Sequence, residues 1–201
     1  MKRIKLIAMI IYSIAALAVS SFAFAAVPVP FGWYLETNFG QAKPLHKNYP
    51  GTINNSTEFG FNFNGGYKFN PFISGELGYT NYGNTRIDNS FGNQAAKDSR
   101  YAFDIAAKLT LPVWGTGAEI FGKIGAARLV SDLNENDYNA AVSNLVFNTG
   151  VHSSIGLYGG AGADFGITQH ILANVQWAVS HGNGRTGGML NLYSGGLSYI
   201  F

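Results

Sequence analysis

The stretch Glu58-Phe59-Gly60-Phe61-Asn62-Phe63-Asn64-Gly65-Gly66-Tyr67-Lys68-Phe69 alternates between large apolar and polar side chains. Successive side chains of an extended strand point to opposite faces, so the aromatic residues share one face. The other face carries Glu58, Asn62, Asn64 and Lys68. A soluble β-sandwich would turn the aromatic face inward, whereas a membrane barrel would turn it outward to lipid. The pattern therefore predicts a strand and leaves two kinds of sheet open.

The beginning of the chain has the composition of a secretory signal peptide. A basic start at Lys2–Lys5 precedes an apolar run from 6 to 19, and Ala23-Phe24-Ala25 provides a small-x-small cleavage site. An uncleaved membrane helix is the alternative, because the apolar run is almost long enough to span a bilayer. We expect removal of residues 1–25, which leaves one exported domain at 26–201.

Charge and cysteine content exclude several classes of function. The full chain has 13 Lys+Arg and 11 Asp+Glu, but three of these cations belong to the predicted signal peptide. The remaining domain has no basic excess, so nucleic acid is not a predicted partner. Cysteine is absent, which excludes disulfides and thiolate chemistry. After residue 26 no apolar run approaches the length of a membrane helix, so a mature chain that spans a bilayer must form a closed barrel.

Seven further stretches repeat the alternation of the first one, which makes eight predicted strands. Their approximate bounds are 32–43, 57–69, 72–82, 100–111, 117–129, 153–167, 171–181 and 189–201. Short connections at 70–71, 112–116 and 168–170 alternate with long ones at 44–56, 83–99, 130–152 and 182–188. Outer-membrane barrels have this asymmetry, with short periplasmic turns and longer outside loops. We therefore predict an all-β fold, an eight-stranded antiparallel up-and-down transmembrane β-barrel.

Several segments resemble one family of such barrels. The final residues Gly195-Gly196-Leu197-Ser198-Tyr199-Ile200-Phe201 resemble the last strand of OmpA-like eight-stranded outer-membrane barrels, which typically end in Gly-Leu-x-Tyr-x-Phe. Gly32–Leu35 is similar to that family's opening strand, Phe121–Gly125 to its fifth and Tyr158–Asp164 to its sixth. The resemblance covers the predicted mature domain. It implies the outer membrane of a Gram-negative bacterium and surrounding lipid as a partner. Larger members of the family have a peptidoglycan-binding domain after the barrel, and we expect only the barrel domain here.

By the same resemblance, the barrel-assembly machinery would recognise alternate apolar and aromatic side chains of the last strand. In this chain those positions are Tyr193, Leu197, Tyr199 and Phe201. Simple lipid-facing anchors are the alternative role for the same side chains. The assembly machinery is thus a predicted partner during biogenesis.

Strand parity places ten charged side chains on the polar face, which would be the interior of a barrel. They are Glu36, Glu58, Lys68, Glu76, Arg100, Asp104, Lys108, Glu119, Lys123 and Asp164. Interior charges must pair or stay hydrated, and an eight-stranded barrel is just wide enough for side chains to fill. We predict a salt-bridged polar plug. A gated, narrow, porin-like ion path stays open as the alternative.

Catalytic residues, cofactors and metal sites are not predicted. His181-Gly182-Asn183-Gly184 is only loosely similar to the His-x-Ser-Asn stretch of outer-membrane lipid A deacylases, and Asn183 stands where the serine nucleophile is required. Asp132, Glu135 and Asp137 lack the spacing of an EF-hand loop. We therefore expect no enzymatic activity, with a lipid A-modifying enzyme as the least favoured alternative.

Two cations fall on the outward parity at the outer ends of predicted strands. Lys43 and Arg128 are expected to reach lipopolysaccharide phosphates, because long cationic side chains extend toward the headgroup level. The long loops contain no motif that identifies a host or surface ligand. The sequence therefore favours a structural or surface-interaction role through extracellular loops.

Overall fold

A computed structural model describes residues 31–45, 52–54, 58–89, 93–113, 116–135, 149–182 and 188–201. The signal peptide predicted at 1–25 lies outside these residues and stays a prediction. The described part of the chain contains nine strands: β1 (Gly32–Leu45), β2 (Thr52–Asn54), β3 (Glu58–Lys68), β4 (Ile73–Asn89), β5 (Gln94–Val113), β6 (Ala118–Glu135), β7 (Gly150–Gly166), β8 (Ile171–His181) and β9 (Met189–Ile200). None of its segments is a helix long and apolar enough to cross a membrane.

Eight of these strands close into an antiparallel barrel. Strands β3 to β9 pair in sequence order, and β1 pairs with both β3 and β9, which closes the ring. Strand β2 stands outside this ring and pairs with the outer end of β4. The predicted eight-stranded up-and-down barrel is confirmed. Closure gives the backbone groups of each barrel strand partners on both sides within the membrane.

The apolar face of the strands is the outer face of the barrel. Along β3, the Phe59 side chain is 68% exposed, whereas Asn62 and Asn64 are completely buried. Along β5, Ile105 is exposed, whereas Lys108 is buried. This arrangement excludes the soluble sandwich, which would bury the aromatic face. It is the arrangement of a barrel surrounded by hydrocarbon.

Aromatic rings form a belt at each end of the apolar surface. At the periplasmic end, the Trp33 and Tyr67 rings are 5.1 Å apart, and at the outer end the Tyr79 and Phe103 rings are 5.2 Å apart. The distance along β3 from Phe59 to Phe69, corrected for strand tilt, corresponds to about 25 Å across the bilayer. The outer surface therefore matches the thickness of the hydrocarbon layer.

Strands β4 to β7 are longer than predicted, and three predicted loops are partly wrong. Strand β4 continues to Asn89 and β5 begins at Gln94, so most of the predicted loop 83–99 is strand. Strands β6 and β7 occupy both ends of the predicted loop 130–152, and β2 lies within 44–56. The alternation of apolar and polar residues fades in these extensions because their outer faces no longer contact hydrocarbon.

A β-bulge at Gly83 allows β4 to continue past the end of β3. The register against β5 shifts between Asn81 and Asn84, and Gly83 has a positive φ of 76°. Its backbone N–H donates to Asn81 Oδ1 at 2.8 Å. A Cβ at this position would lie 2.7 Å from the Phe59 carbonyl oxygen, so only glycine fits. Beyond the bulge, β4 to β7 form a sheet outside the membrane, which we call the wall.

Candidate functional site

The structure places nearly all of the predicted interior charges inside the barrel. Glu58 is half-buried at the outer end of β3. The others are buried: Glu36, Lys68, Glu76, Arg100, Asp104, Lys108, Glu119, Lys123 and Asp164. Asp98 is also buried and bonds to Arg100 Nε at 2.8 Å. Sequence reasoning missed Asp98 because it fell within a predicted loop.

Lys123 on β6 contacts two carboxylates that belong to other strands of the barrel. Its Nζ lies 3.2 Å from Glu36 Oε1 on β1 and 2.8 Å from Glu76 Oε2 on β4. Strands β6 and β1 are directly opposite each other in the ring, so the Lys123–Glu36 pair crosses the full width of the lumen. The Tyr34 hydroxyl donates to Glu76 Oε1 at 2.7 Å and holds this carboxylate in place.

Lys108 on β5 forms the second cationic centre. Its Nζ lies 2.8 Å from Asp164 Oδ2 and 3.5 Å from Glu36 Oε2. The Phe121 ring lies under both lysines, with its centroid 4.1 Å from Lys108 Nζ and 5.3 Å from Lys123 Nζ. A Cβ at Gly162 would lie 2.5 Å from this ring and closer still to the Val175 carbonyl oxygen, so the glycine makes room for both the ring and β8.

Amide side chains connect the charged groups to one another. Asn64 Nδ2 donates to Glu36 Oε1 at 2.9 Å, and Asn38 Nδ2 donates to Asn62 Oδ1 at 3.1 Å. Gln176 Nε2 on β8 also donates to Asn62 Oδ1, at 3.3 Å. The first two bonds join the neighbouring strands β1 and β3, and the third crosses the lumen from β8 to β3.

The charges of the central cluster do not balance. It contains four carboxylates and two ammonium groups: Glu36, Glu76, Asp104, Asp164, Lys108 and Lys123. Asp104 is 6% exposed, and neither of its carboxylate oxygens accepts a hydrogen bond from the described residues. Asp104 is therefore the member of the cluster whose charge is least compensated.

An apolar layer lies between this cluster and the outside. It consists of Ala42, Tyr82, Ala102, Ala106, Ala127, Leu129, Tyr158, Ala178, Leu190 and Leu192, which we call the cap. The cap interlocks with the charged cluster on β5, where Asp104 lies between Ala102 and Ala106. Strands β4 and β8 are on opposite sides of the barrel, and the hydroxyls of Tyr82 on β4 and Ser180 on β8 are 2.7 Å apart across the lumen. Sequence reasoning missed the cap, although strand parity puts Leu190 and Leu192 on the same inward face as Ser198. The lumen is thus closed by two layers of different chemistry.

The predicted assembly residues all lie on the outer surface of β9 or directly after it. Tyr193, Leu197, Tyr199 and Phe201 are exposed. The Phe201 N–H donates to the Trp33 carbonyl oxygen at 2.9 Å, so the last residue is held against β1 at the closing seam.

The predicted lipid contacts also lie on the outer surface. Lys43 and Arg128 are exposed, and Arg128 stands beside Phe103 on β5 and Ile155 on β7. Lys97, higher on the outer face of the wall, is exposed as well. It was missed because its position fell within a predicted loop.

The residues considered for chemistry lie partly outside the described chain, and those that are described do not form a catalytic or metal site. His181 is exposed at the end of β8, and Asn183 lies outside the described residues. Asp132 is half-buried on the wall, and Asp137 also lies outside the described residues. Within the described part of the chain, no group of three or more acidic, histidine or cysteine side chains could hold a metal ion.

Comparison with solved structures finds the same fold in several bacterial barrels. OprG from Pseudomonas aeruginosa has a TM-score of 0.59 at 14% identity, over 89% of this chain and 99% of OprG. Neisserial surface protein A has a TM-score of 0.57 at 14% identity, over 85% of this chain and 97% of its own. Ail of Yersinia pestis has a TM-score of 0.56 at 14% identity, over 86% of this chain and all of Ail.

Comparison with family models gives the wider relationship. Residues 11–201 match the model of the outer membrane protein beta-barrel domain. No curated protein matches the chain at a significant level. The family match spans almost the whole chain, and the barrel has the inward polar and outward apolar faces that the outer membrane requires. The chain therefore belongs to the outer-membrane β-barrel domain family and is an integral protein of the Gram-negative outer membrane.

Proposed function

We propose that the barrel is a closed anchor that presents its extracellular wall and loops for contact with a host or surface ligand. The observation that carries this proposal is the length of strands β4 to β7, which have 17 to 20 residues. A membrane strand of a barrel needs about 9–11 residues. The additional residues extend outside the bilayer and are not needed to span it.

The wall is a folded surface. Ile87, Ala95, Ala96 and Leu133 form a small buried apolar cluster on it, and β2 adds to its edge beside Asn89. Asp98 accepts hydrogen bonds from Arg100 and from Ser131 Oγ, the latter at 2.7 Å. A surface held by its own core is suited to binding because little conformational entropy is lost on contact. Ail has been crystallised in complex with the heparin analogue sucrose octasulfate, which supports an extracellular ligand for a barrel of this shape.

Replacement of residues 136–148 by a short Gly-Ser linker tests the proposal. These residues follow β6 and precede β7 in the sequence. Cells that produce the variant should lose adhesion to host cells or matrix, while the barrel remains assembled and heat-resistant. Equal adhesion by cells with the native protein, the variant and no protein would contradict a role in surface contact.

We also propose that the protein has no catalytic activity and no cofactor. Asn183 stands in place of the nucleophile in the stretch that resembles lipid A deacylases, so His181 has no serine to activate. Mass spectrometry of lipid A from cells with and without the protein should give the same species. A mass change that depends on the protein would contradict this proposal.

We propose in addition that lipopolysaccharide is a lipid partner. Arg128 lies between apolar neighbours at the outer aromatic belt, and Lys43 lies at a similar position at the end of β1. The double substitution Lys43→Gln with Arg128→Gln should weaken binding of lipopolysaccharide to the purified barrel. Lys97→Gln, which is higher on the wall, is the control and should have a smaller effect. Equal binding by all variants would show that these cations are ordinary surface charges.

A further inference from the structure

A small cavity lies at the periplasmic end of the lumen. Its volume is about 20 Å³, which is room for about one water molecule. Its lining residues are all close to the periplasmic ends of their strands and include Tyr34, Lys68, Lys108, Thr110, Glu119 and Asp164. The lining combines hydroxyl groups with charged groups, so the cavity is suited to water.

The mouth of this cavity has two unlike halves. Tyr34, Leu172 and Ile200 form a buried apolar cluster on one side. On the other side, Lys68 Nζ donates to both carboxylate oxygens of Glu119 at 3.0 Å. Lys68 ends β3 and Glu119 is near the start of β6, so this pair reaches across the mouth. The pair is made of two long flexible side chains, and it is the half of the mouth that can separate without moving the backbone.

Exposure to solvent falls from the mouth of the cavity to the centre of the lumen. The side chains of Lys68 and Glu119 are 7% and 10% exposed, that of Lys108 beside the cavity is 7% exposed, and those of Lys123 and Glu36 are 0% exposed. On the outer side, the cap closes the lumen, and the Tyr82 hydroxyl contacts the Ser180 hydroxyl on the opposite side of the barrel. Water can therefore reach the polar layer from the periplasm, and the cap blocks its way to the outside.

We propose that the lumen is a blind aqueous vestibule that opens to the periplasm, with the Lys68–Glu119 pair as its gate. Opening of the gate admits water to the cavity beside Lys108 and Asp164. The cap remains closed, so opening produces no path across the membrane. The vestibule is a property of the barrel itself and does not depend on what the extracellular loops bind.

Single cysteines can report on this vestibule, because the native chain has none. Thr110→Cys puts a thiol in the cavity wall, and Leu192→Cys puts one in the cap. The barrel is placed in lipid nanodiscs, which expose both ends to solvent, and reaction with iodoacetamide is followed by mass spectrometry. The thiol at 110 should react measurably, and the thiol at 192 should stay unreacted.

Gate variants then test the role of the ion pair. Lys68→Met should raise the reaction rate at position 110 about tenfold, which is the change expected for loss of one charge-assisted contact. The charge-reversed double variant K68E with E119K should return the rate toward the native value. Glu119→Gln tests the same contact if Lys68→Met does not fold, as judged by heat-dependent migration in gels.

Two results would overturn the proposal. One is a rate at position 110 that is the same with and without the Lys68–Glu119 pair, because the pair would then not control access. The other is reaction at position 192 as fast as at position 110, because the lumen would then be a continuous path. Fast reaction at 110 that depends on the pair, together with an inert thiol at 192, supports a blind vestibule.

Discussion

At the scale of single residues, parity along each strand was enough to place charges inside the barrel but not to pair them. Lys123 contacts Glu36 and Glu76, which are 87 and 47 positions away in the chain, and only the closed ring brings them together. Asp104 has the same parity as Lys108, yet it is left without a hydrogen bond in the described structure. Partners inside a barrel depend on strand stagger and side-chain length, which no local pattern contains.

Asp104→Asn should stabilise the barrel. The substitution keeps the shape of the side chain and removes a buried charge that has no hydrogen-bonding partner among the described residues. We expect the free energy of unfolding, measured by urea titration in lipid vesicles, to rise by about 1–3 kcal/mol. Asp164→Asn is the matched control and should destabilise, because Asp164 contacts Lys108 Nζ at 2.8 Å. Destabilisation by both variants would show that Asp104 has a stabilising partner.

Gly162→Val should destabilise the barrel by about 1–3 kcal/mol, because the new side chain would overlap the Val175 carbonyl oxygen on β8 and the Phe121 ring. Gly159→Val on the same strand is the control. It points outward, and a Cβ there would lie 3.5 Å from the nearest atom, the Lys123 carbonyl oxygen. Equal unfolding free energies for the two variants would contradict the tight packing of Gly162 against Val175 and Phe121.

At the scale of the strands, the sequence predicted the number of barrel strands, their antiparallel direction and which side chains point outward. It did not predict where the strands end on the extracellular side. Within the membrane, exposed apolar residues alternate with buried residues that are mostly polar, as Ile120 and Ile124 alternate with Glu119 and Lys123 on β6. Beyond Arg128 this contrast fades, since both faces of the wall carry polar residues. Sequence reasoning therefore ended these strands too early, and it could not foresee the bulge at Gly83.

Substitutions on β6 should show where the bilayer ends. Ile124 is 65% exposed near the middle of the apolar band, so Ile124→Lys should cost about 2–4 kcal/mol of unfolding free energy in lipid vesicles. Asn134 lies exposed on the same strand but on the wall, so Asn134→Lys should change stability by less than about 1 kcal/mol. A similar loss for both variants would mean that lipid extends further up β6.

The proposed assembly role of the last strand is tested by removal of Phe201. The deletion should lower the amount of folded protein in the outer membrane, because the terminal aromatic side chain would be missing from the segment that the assembly machinery recognises. Phe69→Ala is the control, since Phe69 is an equally exposed ring at the same periplasmic belt, outside the last strand. Equal membrane levels of both variants would leave Phe201 with a lipid-anchoring role alone.

At the scale of the whole molecule, the lumen is occupied by layers that differ in chemistry. The sequence predicted the charged layer as a polar plug. It did not predict the apolar cap or the contact of Tyr82 with Ser180 across the lumen, which only the structure shows. The barrel was predictable from composition and strand spacing, and its location in the outer membrane from the resemblance of several segments to a known family. The ligand of the loops was not, because loop sequences are not constrained by membrane physics.

The two layers lead to a prediction about conductance. Purified protein in planar lipid bilayers should give no steady ionic current at neutral pH, since ions would have to leave water to cross the cap. The double substitution Tyr82→Ala with Leu192→Ala removes side chains from the cap and is expected to allow brief openings. Steady conductance by the native protein would contradict the closed plug and favour the porin-like alternative.

The wall rises from strands β4 to β7, while β3, β8 and β9 have only 11 or 12 residues. The barrel consequently has a front and a back in the plane of the membrane. A neighbouring molecule that diffuses laterally meets a tall protein surface from one direction and a low rim from the other. Crowding by long surface sugars should therefore hinder access to the protein unequally around its circumference.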